Sequence, residues 1–301
     1  MRGTAPGLGA EEDAGEGGSD LVVVLGQSNA SGTNTDVEPD GLDRRDARIR
    51  TFGASGPDAG RVVPAREPLA PLRGHPPGGM GPGGPFASLL LPTLPAHRDV
   101  LVVPAAVGGT GFRTHGSFPG VWAVGLHPPG VPNLLDLAVA HVRAALRAAG
   151  PGSRVAAVLW QQGETDGGQE RGEAEYAADL DELIAAFRAQ VPTAAAAPFT
   201  VGGLPAERLA AYPGHAGVQA ALEATPARVP RTGFAPAPPP GHVNDVTTHL
   251  TAAGQRILGA NHLAASRSAL RAPGGGDGAG QQAAVGQPPR DQGRHRAGAV
   301  D

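Results

Sequence analysis

The sequence predicts an α/β protein, a three-layer α/β/α sandwich built around a central parallel sheet of five strands. Two observations predict it. Short apolar runs rich in β-branched residues alternate along the chain with longer segments of helical periodicity, which is typical of parallel sheets with helices on both faces. The runs are also continuously apolar rather than alternating, as expected for strands that are covered on both sides.

Five segments are predicted to form the strands. The three most apolar runs are residues 21–25, 100–103 and 155–160, of which the first reads Leu-Val-Val-Val-Leu. A shorter run follows at 199–201, and the fifth strand is expected near 228–234. Because the strands are separated by helical segments, right-handed crossovers should make them parallel.

Four helices are predicted between and after these strands. Asn133 is a good N-cap for a helix with a continuous apolar face, and Gly150 is a natural stop for it. Helical spacing of apolar residues also covers 173–190, 215–224 and 251–271.

The domain organisation follows from composition. Residues 1–19 and 272–301 are rich in small and polar residues without apolar periodicity, so we expect both to be disordered tails around one domain at 20–271. Within the domain, 53–85 is rich in Pro and Gly. Such a long segment without periodicity is typical of a lid or binding loop.

Composition excludes several classes of function. The chain has no Cys and all 24 of its basic residues are Arg, which removes thiol, iron–sulfur, P-loop and Schiff-base chemistry. The net charge of -4 predicts no nucleic-acid partner, and no apolar stretch reaches the roughly 20 residues of a membrane span. The His residues lack zinc-binding spacing, so we expect no metal and no cofactor. Without a visible secretory signal, a cytoplasmic location is the default expectation.

Three polar blocks stand at the predicted ends of strands or before the last helix. Ser28 follows the first strand among small residues, so it is a candidate nucleophile. The alternative is a strand-to-helix turn with Ser or Asn as its N-cap, and Ser31 in that position would leave Ser28 free. Residues 161–166 follow the third strand and could hydrogen-bond a polar ligand, while Asp166 alone could cap the next helix.

The third block offers a general base. Asp245 precedes His249 by four residues, and an acid near a His can hold the imidazole in the tautomer that acts as a base. Thr251 is a candidate N-cap of the final helix. His242 is close enough in sequence to be a competing base.

Together these blocks resemble the SGNH/GDSL hydrolases, and more narrowly the group with sialate O-acetylesterases and family-6 acetylxylan esterases. The resemblance covers about residues 21–265 and implies a flavodoxin-like fold. It is carried by the following motifs: Gly26-Gln27-Ser28-Asn29, Val103-Pro104-Ala105-Ala106-Val107-Gly108-Gly109-Thr110-Gly111, Trp160-Gln161-Gln162-Gly163-Glu164-Thr165-Asp166 and His249-Leu250-Thr251.

The resemblance implies a role for each matched residue. Ser28 is the nucleophile and His249 the general base. The oxyanion hole would consist of the Ser28 N–H, the Gly109 N–H, with Gly108 as the alternative, and the Gln162 side chain. The supporting residues implied at this edge are Gln27, Asn29, Gly108 and Glu164.

The chain departs from the family at the acid. The family usually places Asp three residues before the His, where this chain has Val246, and Asp245 lies one residue earlier. Asp245 can reach the ring if the loop bulges. Otherwise a backbone carbonyl orients the ring and the pair acts as a Ser–His dyad.

The resemblance thus implies a serine esterase that removes O-acetyl groups from carbohydrates through an acetyl-enzyme, with acetylxylan or O-acetyl sialic acid as substrate types. Two alternatives remain at this point. One is a lipase-like or thioesterase member of the superfamily, which would favour an apolar acyl groove. The other is a non-catalytic carbohydrate-binding relative, which would need to lack the nucleophile or the base.

Overall fold

A computed structural model describes residues 17–70, 72, 78–114, 119–245 and 247–271. In this part of the chain a seven-stranded sheet has the order β3-β2-β4-β1-β5-β6-β7. Its strands are β1 (Gly18–Gly26), β2 (Ile49–Phe52), β3 (Val62–Pro64), β4 (Arg98–Ala106), β5 (Arg154–Gln161), β6 (Phe199–Gly202) and β7 (Thr232–Ala235). The predicted tails lie outside the described residues, except for residues 17–19 of the N-terminal tail, of which Gly18 and Ser19 already belong to β1.

The five predicted strands are confirmed, as β1 and β4 to β7, and they pair in parallel. The predicted count of five is wrong, because β2 and β3 extend one edge of the sheet. β2 pairs in parallel with β4, whereas β3 is antiparallel to β2. Both strands are short, and β3, which forms the edge of the sheet, lies inside the Pro/Gly-rich segment 53–85, so local periodicity could not reveal them.

Eight α-helices are found among the described residues. They are α1 (Ser28–Ser31), α2 (Gly83–Leu90), α3 (Leu134–Ala149), α4 (Glu164–Gly168), α5 (Glu173–Gln190), α6 (Ala206–Ala211), α7 (Ala216–Arg228) and α8 (Ala252–Arg271). The four predicted helices are confirmed as α3, α5, α7 and α8. The other four have eight residues or fewer, too few for a periodic signal. None of the described helices combines the length and apolar character needed to cross a membrane.

The α3 boundaries show why its prediction succeeded. The Asn133 side chain accepts a hydrogen bond from the Asp136 backbone N–H at 3.1 Å, which satisfies a donor at the helix start. At the other end, Gly150 adopts a positive φ of 83°, a conformation that favours glycine over other residues. Both signals act within a few residues of the helix end, so they can be recognised in the sequence without knowledge of the tertiary structure.

The central strand divides the core between the two faces of the sheet. Side chains of β1 alternate, with Leu21 and Val23 in the cluster that includes α3, α5 and α7. Val22 and Val24 lie in the opposite cluster, which includes Phe86 of α2. Both faces are therefore covered, which confirms the predicted sandwich and explains the continuous apolar run.

A buried ion pair anchors the start of β1. The Asp20 carboxylate is 1% exposed and accepts hydrogen bonds from Arg98 Nε at 2.6 Å and Arg154 Nε at 2.9 Å. Removing one member of a buried pair leaves uncompensated charge in the protein.

We expect Asp20→Ala to lower the free energy of unfolding by about 3–5 kcal/mol, measured by urea denaturation. Asp40→Ala is the matched control, because the Asp40–Arg66 pair is exposed on both sides and should contribute about 1 kcal/mol or less. Equal effects of the two substitutions would contradict the prediction.

The topology brings three loops to one place. The neighbouring parallel strands β4, β1 and β5 all end at the same edge of the sheet, where ligands bind in such folds. The polar blocks that follow these strands are therefore close to one another.

Candidate active site

Ser28 lies at a sharp turn directly after β1. Gly26 has a φ of +124°, and a Cβ at this position would lie only 2.1 Å from the Gln161 carbonyl oxygen, so glycine is needed for the turn. Ser28 is the first residue of α1. The N-cap of α1 is Gln27, whose side chain makes no capping hydrogen bond, so the alternative interpretation with Ser or Asn as the cap is wrong. Ser31 is the last residue of α1, and its hydroxyl donates to the Ser28 carbonyl at 3.2 Å.

Ser28, His249 and Asp245 form a continuous chain of hydrogen bonds. The Ser28 Oγ lies 3.0 Å from His249 Nε2. The opposite ring nitrogen, His249 Nδ1, lies 2.6 Å from Asp245 Oδ2. This arrangement lets the ring accept the hydroxyl proton of Ser28 while its Nδ1–H donates to the carboxylate.

The two oxygens of Asp245 make different contacts. Oδ1 accepts hydrogen bonds from the backbone N–H groups of Thr248 at 2.6 Å, His249 at 3.0 Å and Thr247 at 3.1 Å. This turn brings Oδ2 to the ring despite the extra residue, Val246, which itself lies outside the described residues. Burial alone raises the pKa of the Asp245 carboxyl, but hydrogen bonds from these N–H groups and the His249 ring lower it below its ordinary value. The carboxylate is therefore ionised at neutral pH.

The competing base, His242, lies elsewhere. Its Nδ1 contacts the Pro239 carbonyl at 2.9 Å, and its own carbonyl accepts from the Thr251 N–H at 2.8 Å. The Thr251 side chain accepts from the Gly254 N–H at 3.0 Å, as expected of an N-cap for α8. His242 thus helps to hold the loop that carries His249 (residues 242–251, the histidine loop) and does not face Ser28 as a base.

Asn29 connects the serine turn with the loop after β5 and with the loop that carries His249. It is fully buried, and its Nδ2 donates to Glu164 Oε1 at 2.7 Å and to the Thr248 carbonyl at 2.9 Å. Its Oδ1 accepts from the Leu250 N–H at 3.0 Å. Asn29 and Glu164 therefore hold the serine turn against the loop that carries His249, consistent with the supporting position expected of them.

Gly108 and Gly109, in the loop after β4, line the same cavity as Ser28. A Cβ on Gly108 would lie 3.7 Å from the Ser28 Cβ, and Gly109 has a φ of +68°. The backbone N–H groups of Ser28, Gly108 and Gly109 have no acceptor among the described residues. They are free to donate to an oxyanion that forms on a carbonyl attacked by Ser28.

The structure contradicts the expected oxyanion contact of the Gln162 side chain. Gln162 is fully buried behind the cavity, and its Nε2 lies within hydrogen-bond distance of Asp166 Oδ2 at 2.6 Å, the Thr110 carbonyl at 3.0 Å and Gln27 Oε1 at 3.2 Å. Its Oε1 accepts from the Tyr176 hydroxyl at 2.9 Å. The amide is therefore already used within the protein. It positions Gln27, which does line the cavity.

Asp166 is not the helix cap that its sequence position allowed. It lies inside α4, is fully buried and accepts from the Phe112 backbone N–H at 3.2 Å as well as from Gln162. Burial raises the pKa of its carboxyl above the ordinary value. The residue thus connects the loops after β4 and β5.

A cavity of about 660 Å³ opens in front of Ser28 and His249. It contains space for a sugar with an acyl group. Besides the predicted residues, its lining includes side chains that no motif indicated: Thr33, Gln169 and Arg208. These side chains come from segments with no distinctive local pattern. In the described part of the chain, no cluster of His and carboxylate residues could hold a metal ion.

Comparison with known proteins shows the family of this chain. A family model described as carbohydrate esterase, sialic acid-specific acetylesterase matches residues 18–267. No curated protein matches the chain. The crystal structure of NanS is similar, with a TM-score of 0.65 at 20% identity, over 83% of this chain and 97% of that one. A protein from Arabidopsis thaliana has a TM-score of 0.63 at 21% identity, over 85% and 98%. The two structures show a shared fold, and the family match shows that the chain belongs to the sialic acid-specific acetylesterase family of carbohydrate esterases and is a carboxylic ester hydrolase.

Proposed function

We propose that this protein is a serine esterase that removes O-acetyl groups from carbohydrates through an acetyl-enzyme intermediate. The observation that carries the proposal is the chain from Ser28 Oγ through the His249 ring to the Asp245 carboxylate, at distances of 3.0 and 2.6 Å, inside a cavity. A serine hydroxyl is a weak nucleophile unless an adjacent base takes its proton.

The first half of the reaction forms the acetyl-enzyme. Ser28 Oγ attacks the acetyl carbonyl carbon while its proton passes to His249 Nε2, and the carbonyl oxygen becomes an oxyanion. The N–H groups of Ser28, Gly108 and Gly109 are the donors available to it, each worth about 3–4 kcal/mol when well aimed. The bond from carbon to the sugar oxygen then breaks, and His249 returns the proton to that oxygen.

The second half repeats the chemistry with water. A water molecule gives a proton to His249 Nε2 and attacks the acetyl carbonyl. The bond from carbon to Ser28 Oγ then breaks, His249 returns the proton to that oxygen, and acetate leaves. Asp245, which is ionised at neutral pH, stabilises the imidazolium in both halves and fixes the tautomer of the free ring.

The cavity lining favours a short acyl group. Among the described residues its lining is small or polar, with Gly at five positions and Pro119 as the one purely apolar side chain. A lipase-like enzyme needs a continuous apolar groove for its acyl chain. The presence of both Ser28 and His249 argues against a non-catalytic carbohydrate-binding relative.

A series of nitrophenyl esters tests the proposal. We expect kcat/KM to fall by at least about tenfold from the acetyl to the butyryl ester, because the described lining residues include no large apolar side chain to hold the longer chain. Initial rates of nitrophenol release at equal enzyme concentration provide the measurement, and acetate release from acetylated carbohydrates provides the second readout. Faster turnover of an octanoyl than of an acetyl ester would favour the lipase-like function instead.

A further inference from the structure

The side chain of Gln27 carries a hydrogen-bond donor that the protein itself does not use. Gln27 directly precedes the nucleophile, is 3% exposed and lines the cavity in front of Ser28. Its Oε1 lies 3.3 Å from the Thr165 backbone nitrogen and 3.2 Å from Gln162 Nε2. Its Nε2 has no acceptor among the described residues. Because an amide nitrogen carries two N–H bonds, both remain available to a ligand.

The backbone N–H of Thr165 fixes which end of the Gln27 amide is the oxygen. A backbone N–H can only donate, so the amide atom beside it must be the acceptor. Thr165 lies in the first turn of α4, where N–H groups lack a partner within the helix, and Gln27 supplies the missing acceptor. The nitrogen is therefore the end of the amide that has no protein partner in the described part of the chain.

The buried network behind Gln27 requires the same orientation. The Trp160 indole N–H, which can only donate, lies 3.2 Å from the Tyr176 hydroxyl, and this hydroxyl donates to Gln162 Oε1 at 2.9 Å. The Gln162 nitrogen consequently faces two acceptors, Gln27 Oε1 and the Thr110 carbonyl. A reversed Gln27 amide would place its nitrogen against N–H donors on two sides.

The free nitrogen of Gln27 is in contact with the cavity. Some unpartnered polar atoms of the described residues are fully enclosed, such as Glu164 Oε2 and Gln169 Nε2, but Gln27 Nε2 is not one of them. The rest of the Gln27 side chain is buried and held at its oxygen, so the donor is fixed in position before a ligand arrives. Such a preorganised donor at the edge of a buried network is effective, because little water competes for it.

The Gln27 amide lies on the side of the cavity where an oxyanion would form. Its oxygen is held by the loop after β5, and Gln162 links it to the carbonyl of Thr110, the residue that follows Gly108 and Gly109. Neither contact involves the histidine loop. In the tetrahedral intermediate the leaving oxygen must face the base that returns its proton, so the oxyanion points away from that base and toward these loops.

We propose that Gln27 Nε2 donates a hydrogen bond to the acetyl carbonyl oxygen as it becomes the oxyanion, so that Gln27 is a catalytic residue. It takes the side-chain role that the resemblance implied for Gln162. The inference rests on the proposed esterase function and adds one donor to the backbone N–H groups of Ser28, Gly108 and Gly109. A donor aimed at developing charge binds the transition state more strongly than the substrate, so its loss lowers kcat more than it changes KM.

Two substitutions remove the donor in different ways. Gln27→Glu keeps an oxygen for the Thr165 N–H and for Gln162 but replaces the amide nitrogen with an acceptor, whereas Gln27→Met removes the amide without adding charge. We expect each to lower kcat for nitrophenyl acetate about 100- to 1000-fold, the range for loss of one oxyanion donor, with KM changed less than about threefold. Because this substrate has no sugar, a contact between Gln27 and a sugar hydroxyl would leave its kcat unchanged.

Gln219→Glu is the matched control for the exchange of amide and carboxylate. Gln219 Oε1 also accepts from a backbone N–H, that of Leu204 at 2.9 Å, but Gln219 does not line the cavity. Its kcat should stay within about twofold of the parent protein. A loss of kcat in Gln27→Glu with normal kcat in a folded Gln27→Met would be an effect of the new charge and would overturn the proposal. A change in KM alone would overturn it as well.

A binding measurement tests the Gln27 contact without turnover, and also if Gln27→Met fails to fold. Acetate, the product, is the probe, because it presents a negatively charged oxygen on the same two-carbon group. In a nuclear magnetic resonance titration of the isotope-labelled parent protein, we expect acetate to shift the side-chain NH2 signals of Gln27 and to leave those of Gln219 unchanged. The Gln27 signals are assigned by their absence from Gln27→Glu. Unchanged Gln27 signals in the presence of acetate would overturn the proposal.

The two measurements separate the Gln27 proposal from the esterase function. If the parent protein hydrolyses acetyl esters and both Gln27 variants keep its kcat, the esterase stands and the role of Gln27 is wrong. If the parent protein releases no acetate from any ester, the esterase proposal fails, and the acetate titration still decides whether Gln27 Nε2 binds an anionic oxygen.

Discussion

Replacing Ser28 with Ala should reduce ester hydrolysis by about 10⁶-fold, the loss seen when the nucleophile of a serine hydrolase is removed. The side-chain hydrogen bond of Ser28 goes to His249, so Ala removes the attacking oxygen and little else. The thermal unfolding midpoint should therefore stay within about 2 °C of the parent protein. Nitrophenyl acetate hydrolysis and a thermal melt measure the two effects.

Covalent labelling gives this prediction a second readout. A fluorophosphonate reagent should modify the parent protein at Ser28, located by mass spectrometry, and should not modify Ser28→Ala. Ser268→Ala is the matched control, because Ser268 is an exposed serine on α8 and its loss should change neither labelling nor rate. A label on another serine, or more than about 1% residual activity, would contradict the assignment of Ser28 as the nucleophile.

Replacing Asp245 with Asn should reduce kcat by about 10⁴-fold, the value known for the equivalent change in a serine protease of another fold. The Asn carbonyl can still accept the three backbone N–H bonds that shape the turn. Its amide would then donate to His249 Nδ1, which places the ring proton on Nε2. In this tautomer the ring cannot accept the proton of Ser28.

Two companion variants complete this experiment. His249→Ala should lose at least as much activity as Asp245→Asn, because it removes the base itself. His242→Ala should have less than about a twofold effect, since its ring contacts only the Pro239 carbonyl among the described residues. A loss of less than about tenfold in Asp245→Asn would establish a Ser–His dyad, because a change in local charge alone can account for a loss of that size.

Because the pKa of the Asp245 carboxyl is lowered, its titration should not change the activity between pH 8 and 5. Because the carboxyl pKa lies below its ordinary value of about 3.9, the group stays ionised from neutral pH down to below pH 4. Its contribution to stability is present above the pKa of the unfolded chain and is lost as pH falls through the lower folded value. A fall in activity between pH 8 and 5 would therefore report another group.

Much of the fold and part of the site were predictable because their signals are local. The apolar run of β1 predicted a strand buried on both faces, and Asn133 and Gly150 predicted the ends of α3. The serine block and residues 161–166 stand at the carboxyl edge for a topological reason, since they follow β1 and β5, which are parallel neighbours and must end together. The motifs around Ser28, Glu164 and His249 were sufficient to indicate the family.

The tertiary structure decided what depends on contacts between distant segments. The short strands β2 and β3 are defined by the pairing of β2 with β4 and of β3 with β2, which three or four residues cannot signal alone. Gln162 follows a strand as a ligand-binding residue would, but bonds to Gln27 and Tyr176 fix its amide behind the cavity. Whether Asp245 reaches the ring depended on a turn made by backbone N–H groups, which the spacing to His249 left open. Periodicity and spacing record only the conformation of a short segment, whereas burial, hydrogen-bond partners and uncompensated charge are set by the segments that fold against it.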